Sequence, residues 1–99
     1  MTKYQQYFRD MVAQNPALFD AFQEVHDGYK QDRKQWSKRF HAEGQVLVDL
    51  IREWEQRLCA GMEKGKNSMY SSKVAEKFWS EVKKRYSHIE LVGVKSNLD

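Results

Sequence analysis

Ninety-nine residues, 40% hydrophobic, 31% charged and 13% aromatic, make one folded domain with a modest core rather than a disordered chain. No run approaches the roughly 20 apolar residues that cross a bilayer, and the single Cys, Cys59, makes no intrachain disulfide. The net charge of +3 is too small to imply a nucleic-acid partner by itself.

The opening residues, Met1 to Gln5, lack the apolar stretch of a signal peptide. With one cysteine, the expected setting is cytoplasmic, with no membrane partner. Charge is uneven along the chain. Residues 64–88 carry seven Lys or Arg against two Glu, which leaves the remainder slightly acidic.

Thr2 and Gln5 fit a capping box, and Tyr4, Tyr7, Phe8, Met11 and Val12 follow at helical spacing. These predict a first helix over Lys3–Gln14. Asn15-Pro16 ends it and opens a second helix, with Asn15 as cap and Pro16 in the first position. That helix is expected to run to about Asp27, with Leu18, Phe22, Val25 and Tyr29 inward and Asp20, Glu24 and Asp27 outward. Gly28 is expected to break it or to supply the left-handed residue after its end.

Asp32 to Gln35 again resembles a helix start. Trp36, Phe40, Leu47, Ile51, Trp54, Leu58 and Met62 then recur in steps of three, four or seven, predicting a long third helix to about Lys64. Gly44 lies on its inner face, where it either admits a close neighbour or marks a break. Residues 60–72 predict a frayed end and a loop, with Ser71 or Ser72 capping a fourth helix that buries Val74, Phe78, Val82 and Tyr86. His88 to Val94 are rich in β-branched and apolar residues and predict extended chain. The expected fold is all-α: about four helices packed around a long central third helix, with a short extended C-terminal tail. Residues 1–94 form the domain and residues 95–99 a flexible end.

Chemistry-bearing constellations are scarce. His26, His41 and His88 are far apart in sequence and have no ligand at metal spacing, so no metal and no cofactor is expected. His26, on the inner side of the second helix, is read as a hydrogen-bonded residue at the core's edge. Cys59 has no activating neighbour, and Glu53 and Glu55, two apart on a helix, point in different directions. No catalytic residue is nominated, and the chain is expected to be non-enzymatic.

A helix of about 30 residues is roughly 45 Å long, whereas a compact domain of this size has a radius of gyration of about 13 Å. The helix must therefore break at Gly44, or the molecule is elongated, or a second chain covers part of the stripe. The last option points to protein–protein interaction, as a homodimer or with another protein. Its candidate interface is Leu47, Ile51, Trp54 and Leu58, with Ile89, Leu91 and Val94 of the tail. The alternative is nucleic-acid binding. Arg33, Lys34, Lys38 and Arg39 would lie on a recognition helix if the second and third helices formed a helix-turn-helix, and Lys73, Lys77 and Lys84 could contact phosphates. Against it, the first cluster could simply pair with Asp20, Glu24 and Asp27.

Overall fold

Thr2 opens the first helix, α1 (Lys3–Gln14), through both halves of a capping box. Its hydroxyl accepts from the Gln5 amide at 3.4 Å, and the Gln5 side chain accepts from the Thr2 amide at 3.1 Å. The computed structural model describes the backbone of residues 2–63 and 69–94, and side chains for residues 2–60 and 73–94. The expectations for Met62, Lys64, Lys66 and residues 95–99 lie outside the described side chains.

Asn15 ends α1 differently from the expected cap. Its side-chain amide donates back to the Met11 carbonyl at 2.9 Å, and it makes no side-chain bond to the next helix, α2 (Pro16–Gln31). Helix α2 also runs past Gly28, where a break was expected. A Cβ at Gly28 would overlap the indole of Trp36, so the glycine is there to admit a neighbouring ring. The turn to α3 (Arg33–Glu63) is Asp32 alone. Its amide closes α2 on the Gly28 carbonyl at 2.9 Å, and its carboxylate caps α3 by accepting from the Gln35 amide at 3.1 Å.

So tight a connection folds α3 back along α2. Trp36 meets Gly28, Phe40 stacks on Tyr29 with ring centroids 3.8 Å apart, and Gly44 faces Phe22. From Trp36 at Gly28 to Gly44 at Phe22, higher numbers on α3 meet lower numbers on α2, which makes an antiparallel hairpin. Helix α3 is unbroken through Gly44 for 31 residues. The molecule is correspondingly elongated, 47 × 27 × 19 Å with a radius of gyration of 14.6 Å. Elongation, rather than a break, resolves the length of α3.

Helix α4 (Met69–Arg85) begins before the expected caps, so Ser71 and Ser72 lie inside it. It packs with α1 against the C-terminal half of α3. Tyr7 meets Trp54 edge-on at 6.2 Å, Phe8 meets Phe78 at 6.5 Å, and the Trp79 indole donates to Glu55 at 2.6 Å. The end of α4 reaches α2, where the buried Tyr86 hydroxyl donates to the Phe19 carbonyl at 2.9 Å and accepts from Arg85 Nε at 3.0 Å. Burial, working against Arg85, holds the Tyr86 phenol above its ordinary pKa of 10.0. Tyr86→Phe would remove that second donor from the Phe19 carbonyl, which keeps its helical partner within α2. The expected loss is about 0.5–1.5 kcal/mol, read as a lower midpoint in thermal unfolding with the near-UV spectrum otherwise retained.

Residues 89–94 depart from the extended conformation expected for them. Ile89–Leu91 form a 3₁₀ turn, η1, and further turns follow. With no strand among the described residues to pair with, the segment's amides close on its own carbonyls instead. Leu91 bonds to His88, Val92 to Ile89 and Val94 to Leu91, at 3.0–3.2 Å. Ile89 is buried, and Val92 settles into the seat left by Gly44, where a Cβ would lie 2.6 Å from its methyl.

Candidate functional site

The apolar stripe of α3 is consumed within the chain. Leu47, Ile51 and Leu58 are completely buried, Trp54 nearly so, and Ile89 is 2% exposed. All five belong to one core with Met11, Phe19, Phe22, Phe40, Phe78 and Tyr86. Of the residues expected at an interface, only Leu91, half-buried, and Val94, 49% exposed, reach the surface. Periodicity identified an inner face correctly but could not say that α1, α2 and α4 suffice to cover it.

The basic residues form two separate groups. In the first turns of α3, Lys34 and Lys38 are exposed and Arg33 lies half-buried with its guanidinium 5.5 Å from the Tyr29 ring. Arg39 is committed locally: it pairs with Glu43 at 3.0 Å and lies 5.1 Å from the Trp36 ring. On α4, Lys77 approaches the Tyr4 ring at 6.0 Å, Lys84 pairs with Glu81 at 3.5 Å, and Lys73 is exposed. Because Trp79 is bonded to Glu55, this second group lies beside α3 about 20 residues from its start, roughly 30 Å along the axis. One ligand site does not contain both. The single-residue turn at Asp32 is also shorter than the three or four residues of a helix-turn-helix, and it folds the helices alongside each other.

The acidic outer face of α2 is as expected: Asp20, Glu24 and Asp27 are exposed. The pairing expected between it and the first turns of α3 is not formed. Among the described residues, no ion pair joins Arg33, Lys34 or Lys38 to Asp20, Glu24 or Asp27. Two patches of opposite sign therefore stand on the α2–α3 hairpin, the acidic one along the outer face of α2 and the basic one at the start of α3.

The histidines converge in space although they are scattered in sequence. His26, 2% exposed, lies 5.4 Å from the Tyr86 ring and 5.6 Å from the His88 ring, while His41 is 6.0 Å from Tyr29. His26 Nε2 accepts the His88 amide at 3.0 Å, and His41 Nδ1 accepts the Gly93 amide at 2.9 Å. His26 is thus a hydrogen-bonded residue of the core, as its position beside Phe22 and Tyr29 in the helical pattern suggested. No sequence signal marked His41 as its counterpart, because the tail that joins them is distant in the chain.

Among the described residues, no group of three or more His, Cys, Asp or Glu side chains is placed to hold a metal. No helix there is long and apolar enough to cross a membrane. A cleft of about 310 Å³ between α1 and α4 is lined by Gln5, Phe8, Arg9 and Glu81, and the Gln5 side chain donates to Glu81 across it at 3.4 Å. Protein-family models, curated proteins and solved structures give no match to this chain.

Proposed function

We infer that this is a small non-enzymatic helical protein that acts by protein–protein contact and associates with itself. The observation that carries this reading is the unsatisfied charge of the α2–α3 hairpin. Asp20, Glu24 and Asp27 present one sign, and Arg33, Lys34 and Lys38 the other, without neutralising each other within the chain. A second copy, turned so that its acidic face meets the basic turns, neutralises both. The arrangement is self-complementary, as a twofold contact requires. Cations at the start of a helix are opposed by its dipole, and an acidic neighbour offsets that cost. Exposed ion pairs contribute only about 0–1 kcal/mol each, so the contact is weak and belongs to the micromolar-to-millimolar range.

Sedimentation equilibrium tests this directly. The average mass should rise above 11.8 kDa with concentration at low salt. It should return to the monomer value as ionic strength goes from about 0.1 to about 1 M, where the Debye length shrinks from ~10 to ~3 Å. Lys34→Glu with Lys38→Glu should abolish association, as should Asp20→Lys with Glu24→Lys, and mixing the two variants should restore it. A monomer at every concentration in low salt sinks the proposal.

The exposure of Lys34 and Lys38 without a carboxylate partner also favours a second reading, nucleic-acid binding through the same turns. A labelled oligonucleotide would then bind with steep salt dependence, and the lysine variants would lose that binding while the acidic-face variants would not.

A further inference from the structure

We propose that residues 88–94 form a latch, held shut by two imidazole nitrogens that accept backbone amides and released on acidification. The geometry rests on which ring atoms accept. A backbone N–H only donates, so His26 Nε2 and His41 Nδ1 must each offer a lone pair to the His88 and Gly93 amides. A proton taken from solvent by either nitrogen occupies that lone pair. Acceptor becomes donor, two N–H groups face each other, and the amide turns to water. The two bonds grip opposite ends of the segment. Between them lie the buried Ile89 and the Val92 side chain seated on Gly44.

The surroundings oppose charge on His26. With Nε2 accepting, its proton sits on Nδ1, a buried atom with no hydrogen-bond partner. The nearest carboxylate, on Asp27, is 3.6 Å away and itself 57% exposed, hence largely screened. Lys30 of α2 and His88 of the tail add positive charge nearby, the Tyr86 phenol just past α4 lies against the ring, and Tyr29 of α2 faces His41. On α3, Arg33 acts on His88, and Phe40 lies edge-on to His41 with ring centroids 5.3 Å apart. Glu90, the segment's own carboxylate, is held outward by Lys83 of α4.

Burial above all, then His88, keeps His26 below its ordinary pKa of 6.5, the Asp27 carboxylate notwithstanding. His88 is also lowered, by burial and then by Arg33 and Lys30. A base whose folded pKa lies below its unfolded value supports the folded arrangement fully above the unfolded value. That support drains away as pH falls through the interval beneath 6.5. The latch therefore opens on the acid side of neutrality.

Amide hydrogen exchange of His88 and Gly93, measured by NMR and divided by intrinsic rates, reads the latch at its two bonds. Between about pH 7.5 and about pH 5, their protection should fall roughly tenfold or more while helix-interior amides of α2 and α3 keep theirs. His41→Asn and His26→Gln place a side-chain carbonyl near the accepting nitrogen and do not titrate. His41→Asn, at a half-buried position the fold tolerates more readily, should retain Gly93 protection at the acid end. Unchanged protection in the parent protein overturns the proposal. So does protection lost in step with the helix interiors, and so does a His41→Asn variant that still releases Gly93 at low pH.

Discussion

Replacing Phe22 with alanine is expected to lower the unfolding free energy by about 3–5 kcal/mol. Phe22 is 1% exposed and lies where every part of this end of the molecule meets. Its ring is 5.0 Å from Tyr86, just past the end of α4, 5.7 Å from Phe40 of α3 and 5.9 Å from His26. It also walls the seat beneath Val92, since a Cβ on Gly44 would come within 3.1 Å of it. Phe40 and His26 sit on helices fixed by other contacts and Tyr86 is tied by its hydroxyl to Phe19 and Arg85, so they cannot collapse to fill the void. Domains of this kind are stable by only about 5–15 kcal/mol, so the loss is a large share of the total. Urea unfolding should show a lower midpoint with the slope little changed; a loss below about 1 kcal/mol would show that the core relaxes around the site.

Gly44→Val should undock the C-terminal segment without any change of pH. The new Cβ would fall 2.6 and 3.0 Å from the two methyls of Val92, and further carbons would press on Phe22. Valine has a better helix propensity than glycine, by a few tenths of a kcal/mol. Overpacking a buried site costs about 1–3 kcal/mol, so the packing term wins. The expected result is loss of His88 and Gly93 amide protection at neutral pH, with α3 still helical by far-UV circular dichroism. If those amides remain protected, Val92 does not depend on the missing side chain.

The four helices were legible because their inner faces repeat at helical spacing and because Thr2 and Asp32 carry local capping chemistry. What α3 does at Gly44 was not legible: one glycine admits both a break and a close contact. The deciding partner, Val92, is 48 positions further along the chain. Gly28 misled for the same reason, since the indole that occupies its missing side chain belongs to the next helix. The tail misled differently. Its β-branched residues favour extended chain only where a ladder is available, and among the described residues there is none. The acidic and basic faces were both visible, but only coordinates could show that they do not pair.

The length of α3 also governs how the molecule moves through water. A body 47 Å long and 19 Å across meets more friction than a sphere of equal mass. On a gel-filtration column it elutes ahead of its 11.8 kDa, and a monomer calibrated against round standards passes for something larger. Equilibrium sedimentation balances buoyant mass against diffusion and contains no friction, so it separates an elongated single copy from two copies side by side.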